Sequence, residues 1–108
     1  MMQHTPFGLP PKAVANIRAV FYCHPQVEKA VLYGSRAKGN VRNGSDIDLT
    51  IIENDLTLRE LSKIEDQIDD LLLPYKIDLS QFRNISNQEL IEHINLVGLE
   101  FYTGADLG

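Results

Sequence analysis

The chain contains one cysteine, Cys23, so no internal disulfide can form and no cysteine-based zinc site can be assembled. A reducing compartment suits such a chain best. Basic residues are few as well: ten lysines and arginines stand against fifteen aspartates and glutamates, a formal net charge of -5. A protein held on a nucleic-acid backbone by its basic surface needs the opposite balance, so extended nucleic-acid binding is not expected. Binding of a single nucleotide stays open, because metal ions can bridge an acidic site to phosphates. Long apolar runs are also missing. Met1 to Pro11 offers nothing that could serve as a signal peptide, and no stretch approaches the roughly 20 residues of a transmembrane helix. The expectation is a soluble, cytoplasmic protein with no membrane role. There are no repeats, low-complexity tracts or interdomain linkers. At 108 residues the expectation is one domain over 1–108, with 1–9 and 103–108 as loose ends.

What is present reads as alternating elements. Pro10 and Pro11 suit a helix start, and Val14, Ile17, Val20 and Phe21 recur at helical spacing over about 11–23. His24-Pro25 ends that helix. Val27 to Tyr33 is a short apolar strand, closed by Gly34-Ser35, where a short helical turn is expected to begin. A loop follows at 39–45, rich in glycine and asparagine. Asp46 to Ile52 alternates and then turns wholly apolar, a second strand. Leu58, Leu61, Ile64, Ile68, Leu71 and Leu72 make one stripe of a helix at about 57–73, with an acidic, solvated face opposite. Pro74 stops it. Tyr75 to Ser80 alternates again, a third strand. Leu90, Ile91, Ile94 and Val97 mark a last amphipathic helix, and Leu99 to Tyr102 a short edge strand. The order implies an α/β fold, a small mixed sheet covered by helices.

Three features carry chemistry through their spacing. Gly34-Ser35 ends a strand; Asp46-Ile47-Asp48 follows after ten intervening residues; Asp78 stands thirty residues beyond Asp48, in another strand. Side chains at i and i+2 of a strand share a face, so Asp46 and Asp48 point together while Ile47 and Leu49 enter the core. Asp78, between Ile77 and Leu79, should also face away from the core. If the two strands are neighbours, three carboxylates converge. Like charges disfavour ionisation. Two divalent cations roughly 3.5–4 Å apart would relieve the repulsion and suit in-line displacement at phosphorus. Hard oxygen ligands favour Mg²⁺ or Mn²⁺.

Gly34-Ser35 supplies the other half. Glycine lets the backbone approach a ligand closely, and backbone N–H groups at a helix start, with the Ser35 hydroxyl, can hold phosphate oxygens. Arg36 and Lys38 can add positive charge there. Gly34 to Gly39 has two glycines spaced like a P-loop opening, but Asn40-Val41 stands where that motif requires Lys-Ser/Thr. Elsewhere the expectations are plainer. His24 caps a helix or meets solvent, His93 lies on the surface, and Cys23 is a small core or boundary residue. Tyr33 fits either the core or the neighbourhood of the nucleotide base.

Tyr33-Gly34-Ser35-Arg36-Ala37-Lys38-Gly39 followed by Ser45-Asp46-Ile47-Asp48-Leu49 closely resembles the small nucleotidyltransferases of the polymerase-beta-like superfamily. In particular it is similar to the minimal (MNT) subgroup, whose members are often paired with a separate helical HEPN protein. The resemblance is strong over 31–52, lesser at 76–79, and slight elsewhere, though Ile94, Gly98 and Tyr102 also fit. It implies a polymerase-beta-like core. Asp46, Asp48 and Asp78 would be the metal-holding carboxylates, with Asp78 also a base for the acceptor hydroxyl. Gly34 and Ser35 would hold the triphosphate. It further implies transfer of AMP from ATP to a tyrosine of a HEPN partner, with this chain as the antitoxin of a toxin–antitoxin pair. The alternative is a non-catalytic nucleotide-binding or docking subunit that restrains a helical partner by contact. Transfer to a small molecule is a third reading, disfavoured because larger relatives use an extra helical domain for that acceptor.

Overall fold

The computed structural model describes residues 8–34 and 46–104. The chain runs α1 (Pro11–Tyr22), β1 (Val27–Tyr33), β2 (Ile47–Glu53), α2 (Leu58–Asp69), β3 (Ile77–Gln81), one 3-10 turn (Phe82–Asn84), α3 (Gln88–Val97) and β4 (Leu99–Thr103). Of the helical turn expected to begin at Gly34-Ser35 only Gly34 is among the described residues, and the loop at 39–45 lies outside them.

α1 starts as the prolines dictate, with Pro10 at the N-cap and Pro11 in the first turn, where proline's fixed φ is already helical and its missing N–H is no loss. Leu9 and Val14 are both buried, the two positions of a hydrophobic staple that fixes the angle of entry. This corrects the expectation that residues 1–9 form a loose leader: Leu9 belongs to the core. Thr103 likewise belongs to β4 rather than to a loose end.

α2 is capped by Thr57, whose hydroxyl accepts the Glu60 N–H at 3.1 Å. It is shorter than its apolar stripe suggests. Leu72 takes a left-handed φ of 54° beyond its end, and Leu58 and Leu72 are exposed. Ile64 and Ile68 are buried, and Leu61 and Leu71 pack partly against the core. Two buried isoleucines contribute about 3–6 kcal/mol against about 1 kcal/mol for the cap, so packing rather than capping seats this helix. On its acidic side Glu65, Asp66, Asp69 and Asp70 are exposed, but Glu60 is half-buried. Cys23, expected at a boundary or in the core, is exposed, because α1 ends before it. His24 meets Gln67 across 2.7 Å and ties the end of α1 to α2.

The sheet has the order β3-β2-β1-β4. β1 is antiparallel to both β2 and β4, while β2 and β3 are parallel, as a strand–helix–strand crossover through α2 requires. The sheet is therefore mixed, with β3 and β4 at its edges. Alternation sends Ala30, Leu32, Ile47, Leu49 and Ile51 into one buried cluster with Ile17, Phe21, Ile64 and Phe101, the layer that α1 and α2 cover. The opposite face carries Val31, Tyr33, Asp48, Thr50, Asp78 and Ser80. α3 lies against that face near β1: a Cβ on Gly98 would meet Val31 Cγ1 at 2.7 Å, so only glycine lets the helix end sit this close. At the far end of β2, the Glu53 carboxylate accepts the Leu56 N–H at 2.8 Å, Gln81 Nε2 at 3.4 Å and Arg83 Nη1 at 3.3 Å. That clamp joins β3 to β2 at the end away from the aspartates. No helix among the described residues is long and apolar enough to cross a membrane.

Candidate functional site

The polar face of the sheet is ordered by register. Tyr33 of β1 is paired with Asp48 of β2, and Asp48 with Asp78 of β3. One row of side chains thus crosses three strands: a phenol and two carboxylates. Val31, Thr50 and Ser80 form the row behind it, by the same pairings. Neighbouring strands lie about 4.8 Å apart, so Asp48 and Asp78, thirty positions apart in the chain, are nearest neighbours here. Ile47 and Leu49 on either side of Asp48 are fully buried, and this fixes the direction in which the carboxylate points.

Asp46 lies just ahead of β2 and is exposed. It is close enough for its charge to act on Asp48, though it does not join the row. The Asp48 carboxyl is held above the ordinary carboxylate range, first by burial, then by the charges of Asp78 and Asp46, with His93 pulling the other way. The three aspartates therefore share one field, but no three His, Cys, Asp or Glu among the described residues are gathered tightly enough to enclose a cation. The donor set suits hard divalent cations, being carboxylate oxygens on a polar face.

Gly34 follows Tyr33 with a φ of 81°, a conformation that glycine adopts without penalty. A Cβ built there would collide with Asp48 Oδ2. Glycine is thus favoured twice there, by its backbone angle and by the Asp48 carboxylate, which would have to turn aside for any side chain. Its N–H donates to His93 Nε2 at 3.1 Å. Ser35, Arg36 and Lys38, the other residues expected to meet phosphate, lie outside the described residues.

His93 corrects the expectation of a surface histidine. It is half-buried, accepts the Gly34 N–H, and meets the Tyr33 ring edge-on, with centroids 6.3 Å apart at 80°. The signal was in the helical period: His93 stands three residues after Leu90 and four before Val97, at the margin of the apolar stripe. Tyr33 proves to belong to the site's edge. Its phenol is pushed up from its usual value by burial; Ser80 opposes this, and the charges of Asp48 and Asp78 add to it. The Ser80 hydroxyl favours the phenolate by proximity, yet its buried Oγ completes no well-aligned hydrogen bond among the described residues.

A strand-end glycine against an aspartate, that aspartate in register with a second one on a parallel strand, and a mixed sheet backed by two helices can be set beside known proteins. The model of the polymerase beta nucleotidyltransferase family matches residues 15–104. The chain belongs to that family. Solved structures agree in fold. A toxin–antitoxin complex with AMP-PNP contains a chain that superposes with a TM-score of 0.67 at 21% identity, over 86% of this chain and 76% of that one. A variant MntA–HpeT toxin–antitoxin complex gives 0.66 at 19%, over 86% and 76%. A complex of the tri-AMPylated Shewanella oneidensis HEPN toxin with its MNT antitoxin gives 0.63 at 16%, over 88% and 73%. No curated protein matches by sequence at comparable stringency.

Proposed function

We propose that this nucleotidyltransferase-family chain is a minimal, metal-dependent enzyme working as one unit over residues 1–108. It would transfer AMP from ATP to a tyrosine hydroxyl of a helical HEPN-type partner and serve as the antitoxin of a toxin–antitoxin pair. The observation that carries this reading is the in-register pair Asp48–Asp78 beside Gly34. The nucleotide and the partner are inferred from the similar folds, which are found in a complex with AMP-PNP and in a complex of an MNT antitoxin with a tri-AMPylated HEPN toxin.

Asp46, Asp48 and Asp78 would hold two Mg²⁺ or Mn²⁺ ions, which would supply charge neutralisation and alignment at the phosphates. Gly34 leaves room for close backbone approach, and Ser35, Arg36 and Lys38 would contact the triphosphate. The partner's hydroxyl oxygen forms a bond to the α-phosphorus as the bond from that phosphorus to the β-phosphate oxygen breaks. Pyrophosphate leaves, and Asp78, exposed at the edge strand, takes the hydroxyl proton. Most of the rate would come from holding the acceptor oxygen about 3–3.5 Å from phosphorus. This chain supplies one wall of such a site, and the partner would supply the other. An acidic chain meeting a basic partner would also gain in rate of encounter.

The test is co-expression with the product of the adjacent gene, size-exclusion chromatography, and mass spectrometry of that product. A mass gain of AMP that disappears with Asp48→Asn is the expected result. A complex without modification would overturn the enzymatic reading in favour of docking alone, and modification that survives Asp48→Asn would remove this carboxylate from the mechanism.

A further inference from the structure

The β1–β2 ladder ends at the pair Tyr33–Asp48, so the Gly34 N–H is the first backbone donor beyond the sheet. Such a group needs a partner, and His93 Nε2 provides it. To accept, that nitrogen must turn its lone pair toward Gly34. The imidazole is braced by Tyr33 on one side. The helix behind it is fixed at both ends: Asn87 Oδ1 accepts the Leu90 N–H at 3.1 Å, and the Gly98 N–H reaches Ile94 O at 2.8 Å while the glycine seats against Val31. His93 is therefore a strut from a rigid helix to the most permissive backbone position in the site.

We propose that His93 is a positioning residue for nucleotide binding. It holds Gly34 in the left-handed conformation, with its backbone against Asp48, at the position where the triphosphate would approach the main chain. The inference rests on the nucleotidyltransferase reading and adds to it a residue from α3, an element that carries none of the expected site residues. Without the strut, Gly34 is free to sample other backbone angles, and ATP must select the competent one. The loss falls on binding, because the carboxylates that act on the reacting atoms stay in their strands. Stability should change little, since α3 is anchored by Ile94, its only buried residue, and by its two ends.

The experiment compares wild type, His93→Ala and His93→Gln by calorimetry with ATP and Mg²⁺, by thermal melting, and by steady-state transfer to the co-expressed partner. His93→Ala should weaken ATP binding and raise its KM by about three- to tenfold, the factor that one net hydrogen bond carries. The turnover number and the melting temperature should hardly move. Glutamine, whose carbonyl oxygen can accept the Gly34 N–H, should recover most of the affinity. If His93→Ala does not fold, His93→Leu keeps apolar packing against Tyr33 without an acceptor and gives the same readout. Unchanged ATP affinity in a folded alanine or leucine variant of an active enzyme overturns the proposal alone. So does a loss of stability and turnover together that glutamine does not repair. Wild-type protein that neither binds ATP nor transfers it overturns the nucleotidyltransferase reading, and this proposal with it.

Discussion

Replacing Gly34 with alanine tests two separate constraints at one position. The first is the backbone: an L-residue in the left-handed region is disfavoured by about 1–2 kcal/mol, and Gly34 sits at φ 81°. The second is steric, since the new Cβ overlaps Asp48 Oδ2. The carboxylate must turn aside, at about 0.5–1.5 kcal/mol for a displaced rotamer. Together these give about 1.5–3.5 kcal/mol. At about 4–8 °C per kcal/mol for a domain of this size, the melting temperature should fall by roughly 6–28 °C. A double-mutant cycle separates the terms. In an Asp48→Ala background the overlapping carboxylate atoms are gone, so Gly34→Ala should retain only the backbone part, about 1–2 kcal/mol. Chemical denaturation of the four proteins is the assay. Equal losses in both backgrounds would refute the contact between Gly34 and Asp48, and a loss below about 0.5 kcal/mol, the size of an ordinary surface substitution, would refute the strained backbone as well.

Asp48→Asn should nearly abolish transfer in a labelled-ATP assay yet leave the fold intact; activity within a few-fold of wild type would refute its role. The same variant bears on pH. The Asp48 carboxyl is raised in the folded state by burial and by Asp78 and Asp46, so just above the ordinary carboxylate range the native protein binds more protons than the unfolded chain, and stability falls as pH rises through that window. Melting curves of Asp48→Asn should lack this component and lie at or above wild type at neutral pH; a variant clearly less stable at pH 7 would contradict the sign. Protein stripped with EDTA should keep its circular dichroism and lose transfer until Mg²⁺ or Mn²⁺ is returned, whereas transfer indifferent to chelation would remove the metal from the mechanism. Asn87→Ala removes the α3 cap and should lower stability by about 1 kcal/mol in a urea titration, and no change would show that packing alone holds that helix.

Much of the fold was legible because burial and period agree. Ile47 and Leu49 flank Asp48 as alternation demands, and both are fully buried. The adjacency of Asp48 and Asp78 needed one more fact, the parallel pairing of β2 and β3, which a sequence suggests through an intervening helix but does not settle. Leu9 was missed because one leucine before two prolines carries no period, although a staple to Val14 explains its burial. Leu72 was placed on α2 because the stripe continues to it; the left-handed turn that ends the helix leaves no mark in the hydrophobic pattern. His93 was missed for another reason. A histidine at the margin of an apolar stripe reads as surface unless the element opposite is known, and that element is a backbone N–H.

The parallel pairing of β2 with β3 makes the site a matter of counting. Side chains alternate with a period of two, so a single residue inserted or deleted between Pro74 and Asp78 would turn Asp78 toward the α1–α2 layer and bring Ile77 or Leu79 out beside Asp48. A two-residue slip would keep the faces but set Ser80 or Lys76 in place of the second acid. The helix between the strands is under a looser rule, since a change of length in the turn at 54–57 leaves the register to be chosen again by the core. Variation in length along this chain should therefore gather on one side of Pro74 and be almost forbidden on the other. The boundary between what can drift and what cannot runs through the three residues Tyr75, Lys76 and Ile77.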